Sequence, residues 1–388
     1  MTKILHLAAG VYPVRGGMDQ IAEDVMRALS GTADIEQKMI CFNQDASADG
    51  IVTHMNETVH DKIRGIEVIR CSCITKVSSQ LISLTFKREL KKLFEHFVPD
   101  IIIMHYPNPF IAHFLLPFLK KYKSVKFILY WHLDIVRQKI LGKLFHFQNI
   151  KLCERADVIV ATSENYIEGS KYLSRYRDKC TVIPNCVQNH RIAETPETQR
   201  IASEIRKKYP GKFISFSVGR NVAYKGFRYL IQASEYLDDD CVVLIAGPHT
   251  RSDEMKQMTM NNSKVELLGL LSDEELNAYY IASDIYSFPS IMRNEAFGLA
   301  LAEGMYFGKP AVTFTIPGSG VNYVSLDGIT GIECPNRDVK AFAEAIMKLK
   351  NDSELRSKLG ENAMQRVLEN FMYYKFRQRI INLISSLI

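Results

Sequence analysis

Two glutamates, Glu295 and Glu303, stand in a Glu-x7-Glu arrangement inside the stretch RNEAFGLALAEGMYFGKP, residues Arg293 to Pro310. The stretch reads as an acidic loop running into the first turns of a helix. Ala296, Phe297, Gly298 and Leu299 fall where a helix start exposes backbone N–H groups that have no partner of their own, and Gly298 lets a ligand approach the main chain. Such an end attracts anions, phosphate above all. The carboxylates cannot bind phosphate, so they are left to accept hydrogen bonds from neutral hydroxyls. A ligand carrying both phosphate and sugar satisfies both halves of the stretch.

Other chemistry-bearing residues sit in loops after strand-like runs. Gly16 and Gly17 follow the first run and precede a helix, a place where phosphate or sugar can come close, although a glycine pair is also an ordinary turn. Arg220 and Lys225 flank the turn after Lys212 to Val218. Arg offers a two-pronged contact to a diphosphate and Lys a mobile point charge; taken singly, each also reads as a surface charge. His132 follows Phe127 to Trp131 and suits a hydrogen bond to a sugar hydroxyl, while Asp134 reads as a helix cap. The run Asp238 to Asp240 reads as an exposed acidic turn, and no metal is assigned.

The elements that must position these groups alternate. Strand candidates are Lys3 to Ala9, Gln37 to Phe42, Gly65 to Arg70, Ile101 to His105, Lys126 to Trp131, Asp157 to Ala161 and Thr181 to Ile183, with helical patterns between most of them. Asp19 to Leu29 is the first helix. The pattern pauses over the polar Asn185 to Pro210, read as a linker with a short helix. It restarts with Lys212 to Val218, Cys241 to Ala246, Lys264 to Leu268, Ile285 to Phe288 and Pro310 to Phe314, with helices at about Gly226 to Leu237 and Asp273 to Ser283. Short apolar runs separated by helices indicate parallel sheets buried on both faces. The expected fold is therefore α/β: two doubly wound Rossmann-like domains facing a cleft, with ligand loops at the carboxyl ends of the strands. The expected division is 1–190, 191–370 and a closing helical segment 371–388 whose apolar residues include Phe376, Ile380, Leu383 and Ile384.

The chain has 388 residues, 47% of them hydrophobic, which is enough for two cores. It contains no run of about 18 apolar residues and its first segment lacks a signal-peptide pattern, so a cytoplasmic chain is expected. The eight cysteines lie mostly within or beside apolar segments and read as buried, reduced thiols. The net charge of +6 is unevenly spread: residues 1–190 hold 25 Lys+Arg against 19 Asp+Glu, and the remainder is balanced. Lys87, Arg88, Lys91 and Lys92 flank the apolar stripe Ile82, Phe86, Leu90, Leu93, Phe94 and Phe97, and a second basic run is Arg137, Lys139, Lys143 and Lys151. Such a flank is first an ordinary solvated helix, with a membrane surface as the alternative. No zinc-finger spacing or long basic tract points to nucleic acid.

Taken together these residues resemble the retaining family 4 glycosyltransferases of GT-B architecture. The resemblance is carried by GGMDQ at Gly16, HYPNP at His105, WHLDIV at Trp131, VIPN at Val182, VGRNVAYKGF at Val218, LLGLLSDEEL at Leu267 and the Glu295/Glu303 pair. It implies that Glu295 and the amides of Ala296 to Leu299 hold the donor sugar and its diphosphate, Glu303 the ribose, and Arg220 with Lys225 the diphosphate. His132 would face the sugar near the reacting carbon. It further implies no cofactor beyond a nucleotide diphosphate sugar as donor, with GDP-mannose the first choice, no divalent metal, and a glycan or lipid-linked acceptor of surface polysaccharide synthesis reached at the inner membrane face. In the family the last helix returns to the first domain. Cys186, Gln188 and Leu133 depart from residues common at these positions and bear on acceptor and donor identity. A nucleotide-sugar epimerase and a non-catalytic nucleotide-sugar-binding partner are the alternatives.

Overall fold

The computed structural model describes residues 1–14, 16–48, 51–77, 80–135, 145–189 and 191–388. Arg137, Lys139 and Lys143 of the second basic run lie outside the described residues. The chain forms two compact units. The first comprises Met1–Thr162, Ser170–Ile183 and Phe376–Ile388, and the second Ser163–Gly169 and Pro184–Lys375.

The first unit is built on an eight-stranded sheet. Its order is Cys180–Val182, Val158–Ala161, Lys126–Trp131, Ile101–Tyr106, Thr2–Leu7, Ile35–Phe42, Ile66–Cys71 and Val59–Ile63. All neighbours are parallel except the last pair. The β-branched run Ile101–Tyr106 is buried along its whole length, as a central parallel strand covered on both faces must be. The edge strand Val59–Ile63 was not expected from the sequence. It alternates half-buried and exposed residues and carries three polar side chains, the signature of an antiparallel edge rather than a buried run.

The second unit carries a six-stranded, wholly parallel sheet in the order Val265–Gly269, Cys241–Ala246, Phe213–Val218, Ile285–Phe288, Ala311–Phe314 and Gly331–Cys334. The reversal of strand order beside Phe213–Val218 puts the loops after that strand and after Ile285–Phe288 side by side, where a doubly wound sheet binds ligands. Gly331–Cys334 also escaped the sequence reading, being only four residues long. The supposed linker contains a full helix, Pro196–Lys208, closed by a Thr195/Thr198 capping box with Pro at its start. The helix Asp273–Ala282 is capped likewise by Ser272 and Glu275.

Two expectations about surface chemistry find a physical explanation. In the helix Phe86–His96, Arg88 and Lys92 pair with the buried Glu89 at 3.0 and 3.1 Å, and Lys91 with Glu95 at 3.5 Å. Much of that basic flank is thus neutralised within its own helix, as on a solvated face. In the acidic turn, Asp238 and Asp240 both bind Lys350, the former at 2.6 Å, and Asp239 lies 3.3 Å from Lys264. All eight cysteines are free, and burial pushes the thiols of Cys41 and Cys153 up to about 12. Among the described residues no helix is long and apolar enough to cross a membrane.

Candidate active site

In the second unit the sequence-predicted residues converge. After Phe213–Val218 the chain passes Gly219 and the exposed Arg220, then a short 3-10 turn Ala223–Lys225. Gly226 follows at φ 68°, and a Cβ there would lie 2.0 Å from the Pro289 carbonyl oxygen. Only glycine lets this loop rest on the loop after Ile285–Phe288. The Ile291 amide completes the seam by donating to the Tyr224 carbonyl at 2.9 Å.

The seam places Lys225 Nζ 2.5 Å from Glu295 Oε2. Both side chains are nearly enclosed, at 14 and 12% exposure, and the ammonium also lies 4.8 Å above the Phe288 ring. Ser290 Oγ donates to the same carboxylate oxygen at 3.2 Å. Glu295, expected from sequence to accept from hydroxyls, thus also pairs with the lysine assigned to the diphosphate, a contact the sequence did not show. Arg220 makes no ion pair among the described residues.

Helix Leu299–Tyr306 begins at Gly298, whose φ of 90° and ψ of 62° are left-handed and suit glycine alone. The amides of Phe297, Gly298, Leu299 and Ala300 donate to no group among the described residues, while those of Leu301 and Ala302 return to the Gly298 carbonyl at 3.0 and 3.1 Å. Phe297, Gly298 and Leu299 thus carry free amides as the sequence predicts, and Ala300 adds a fourth. Ala296 leads into it, with its carbonyl oxygen so close to Gly320 that a Cβ there would approach to 2.0 Å. Phe371, counted with the final helix in the sequence, packs instead beneath this turn, its ring 5.3 Å from that of Phe297.

Glu303 is buried in the same helix. Tyr280 Oη lies 3.3 Å from its Oε2 and Arg191 Nη1 3.7 Å from its Oε1. Burial raises its carboxyl above the usual range, with Arg191 opposing. Sequence reading missed both partners, because neither the 23-residue separation of Tyr280 nor the remote Arg191 leaves a local signal.

The first unit holds the other candidates. Gly16 caps helix Gly17–Leu29 in extended conformation, and a Cβ on it would fall 2.4 Å from Asp19 Oδ2. Gly17 has open space around it. Of the pair, Gly16 could carry a Cβ only if the Asp19 carboxylate moved, and Gly17 has space for one. His132 ends the strand Lys126–Trp131, its amide donating to the Tyr106 carbonyl at 3.0 Å. Burial pushes its imidazole down to about 3, so it works as a neutral hydrogen-bonding group. Asp134 does not turn toward it: its Oδ1 accepts from Trp131 Nε1 at 2.8 Å and from Ser170 Oγ at 3.0 Å. The residues Asp134 was expected to cap, 136–144, lie outside the described residues.

Two Rossmann-like units, each on a mainly parallel sheet and one carrying a Lys–Glu pair near a helix start with free amides, have the GT-B glycosyltransferase architecture. Residues 198–366 match the family described as Glycosyl transferases group 1, and residues 15–191 match Glycosyltransferase Family 4. The chain belongs to this glycosyltransferase family. It is 27% identical over all of its length, and 99% of the relative's, to O-antigen chain mannosyltransferase C of Escherichia coli. It is 29% identical to D-rhamnosyltransferase WbpZ of Pseudomonas aeruginosa, over 92% of this chain and 88% of that one. Its fold superposes on sucrose-phosphate synthase from Thermosynechococcus elongatus with a TM-score of 0.79, covering 100 and 99% of the two chains at 18% identity.

Proposed function

We propose that this chain transfers mannose from GDP-mannose, with retention of anomeric configuration and without a metal ion in the chemistry, to a glycan or lipid-linked acceptor of surface polysaccharide synthesis. The observation that carries the reading is the placement, within one unit, of the Lys225–Glu295 pair beside the unpartnered amides of Phe297 to Ala300. As the bond from sugar to diphosphate stretches, negative charge grows on the leaving oxygen and positive charge on the sugar. Lys225, Arg220 and the helix start stabilise the first, the electrostatic effect that usually contributes most to such barriers. Glu295 accepts hydrogen bonds from the sugar hydroxyls, Glu303 holds the ribose, and His132 donates a hydrogen bond to the sugar as a neutral imidazole. A leaving phosphate oxygen takes the acceptor's proton, so no separate general base is needed. The relatives' names, an O-antigen chain mannosyltransferase and a D-rhamnosyltransferase, support mannose as the sugar and a surface-polysaccharide acceptor. The charge excess of residues 1–190 supports work at the inner membrane face.

The test is a thermal-shift series with GDP, UDP and their mannose, glucose and galactose conjugates, followed by transfer of labelled mannose to extracted membrane lipids. GDP-mannose should give the largest shift, and the product linkage should retain the donor's anomeric configuration by NMR. A shift with UDP sugars only would overturn the donor. Sugar interconversion without acceptor would point to an epimerase, and binding without turnover to a non-catalytic partner.

A further inference from the structure

Three histidines line one face of the first unit's sheet at its carboxyl end. In the register of the parallel strands, His6 lies opposite Ile103 and Tyr130 opposite His105, so His6, His105, Tyr130 and His132 share that face. The rings form a stack: His6 and His105 have centroids 6.5 Å apart, His105 and His132 5.2 Å, and the last two planes are inclined by only 11°. All three are buried and burial holds all three below the usual histidine range, so each ring carries one hydrogen.

Their hydrogen bonds constrain where that hydrogen sits. Gln37 donates its amide to the Met26 carbonyl at 3.2 Å, which aims Gln37 Oε1 at His6 Nε2, 3.0 Å away. His6 therefore carries its hydrogen on Nε2. His105 Nδ1 and His132 Nε2 lie 3.0 Å apart, and one of them donates. If His132 donated, its Nδ1 would be a bare acceptor, and the remaining N–H of the pair would sit on His105 Nε2, buried with no partner among the described residues. If His105 donates, its Nε2 is a bare lone pair. The remaining N–H then sits on His132 Nδ1, also without a partner among the described residues but at the strand end where the sugar is expected. A stranded buried N–H is costly, and only the second arrangement gives it a ligand to meet.

We propose that His105 is a positioning residue that donates through Nδ1–H to His132 Nε2 and so fixes His132 as a neutral Nδ1–H donor toward the substrate. The inference rests on the reading of His132 as a sugar contact. His105 belongs to the HYPNP stretch, and its role follows from the adjacency of two strands rather than from its own loop.

Histidine labelled with 15N, read by long-range imidazole correlation spectra, reports which nitrogen of His132 carries the hydrogen. His105→Asn places an amide donor where Nδ1–H stands, and His105→Phe keeps a ring and removes the donor. The wild type should show the Nδ1–H form, and His105→Asn should keep it with turnover within a few-fold. His105→Phe should lose the single form and lower kcat by roughly 10- to 100-fold, the range of one buried hydrogen bond, with GDP affinity unchanged. An Nε2–H form in the wild type overturns the proposal, as do equal losses of kcat in the Asn and Phe variants, which would mark a packing role. Should His105→Phe not fold, the wild-type spectrum and the Asn variant still decide. If the spectra behave as expected but kcat is indifferent to both His105→Phe and His132→Ala, the positioning stands and the sugar-contact reading falls.

Discussion

Acidification should unfold the first unit selectively, and the histidine stack sets by how much. His6 is held down to about 4 and His132 to about 3, against an unfolded value near 6.5, in each case because burial penalises the charged ring. The sign follows from linkage: between the folded and unfolded values the unfolded chain binds the extra proton, so stability is full above about pH 6.5 and is lost as pH falls toward the folded values. One proton of difference is worth about 1.4 kcal/mol per pH unit. Between pH 6.5 and 5 each of the two rings therefore removes about 2 kcal/mol, about 4 kcal/mol together, and His105 acts in the same direction. That is a large part of an ordinary domain's stability. The chain's single tryptophan makes this measurable: Trp131 is fully buried in this unit and stacks on Tyr106 with ring centroids 3.8 Å apart. Urea unfolding followed by its fluorescence at pH 7, 6 and 5 should show a falling midpoint. In His6→Phe the dependence should flatten by about one proton. His6 is the ring to replace because its hydrogen bond goes to Gln37 and leaves the His105–His132 pair intact. A midpoint independent of pH over this range, or an unchanged slope in His6→Phe, would refute the reasoning.

The remaining predictions concern the second unit. Arg220→Ala should leave stability within about 0.5 kcal/mol, since the side chain is exposed and unpaired among the described residues, yet weaken GDP binding by roughly tenfold in calorimetry. Glu295→Gln should abolish most turnover while leaving GDP binding equal or tighter, because the Lys225 ammonium, now 2.5 Å from a carboxylate, would be released to the diphosphate; weaker GDP binding would count against the pairing argument. Gly304→Ala should destabilise the unit by about 1–3 kcal/mol or more in urea unfolding, because the added Cβ would stand 2.6 Å from the Tyr286 ring, which lies fully buried beneath helix Leu299–Tyr306.

The sheets were legible where strands are buried on both faces. Runs such as Cys241–Ala246, apolar at every position, cannot be anything but central parallel strands once helices flank them. Val59–Ile63 and Gly331–Cys334 were not, the first because an edge strand has polar residues on its open side, the second because four residues carry too little pattern. The site divides in the same way. Gly226, Gly298 and the helix start are local features, written in consecutive residues, and the sequence shows them. Pairings between remote segments leave no local trace: His105 meets His132 across adjacent strands over 27 residues, and Arg191, in the loop before helix Pro196–Lys208, meets Glu303 in helix Leu299–Tyr306.

The Lys225–Glu295 pair shows what such a hidden contact changes. Read separately, the lysine waits for a diphosphate and the glutamate for hydroxyls. Held together at 14 and 12% exposure, they neutralise each other in a site largely closed to water, which spares the protein an isolated buried charge. Under the proposed function a sugar diphosphate offers each of them a better-matched partner at once, phosphate oxygens for the ammonium and hydroxyl hydrogens for the carboxylate. The net charge of the pair is zero before and after, so the exchange requires no new charge to be buried beyond that of the diphosphate itself. That remaining charge falls to Arg220 and to the amides of Phe297 to Ala300. On this reasoning a phosphate without its sugar recruits Lys225 only by leaving Glu295 unpaired, so the sugar hydroxyls contribute to holding the diphosphate even though they never touch it.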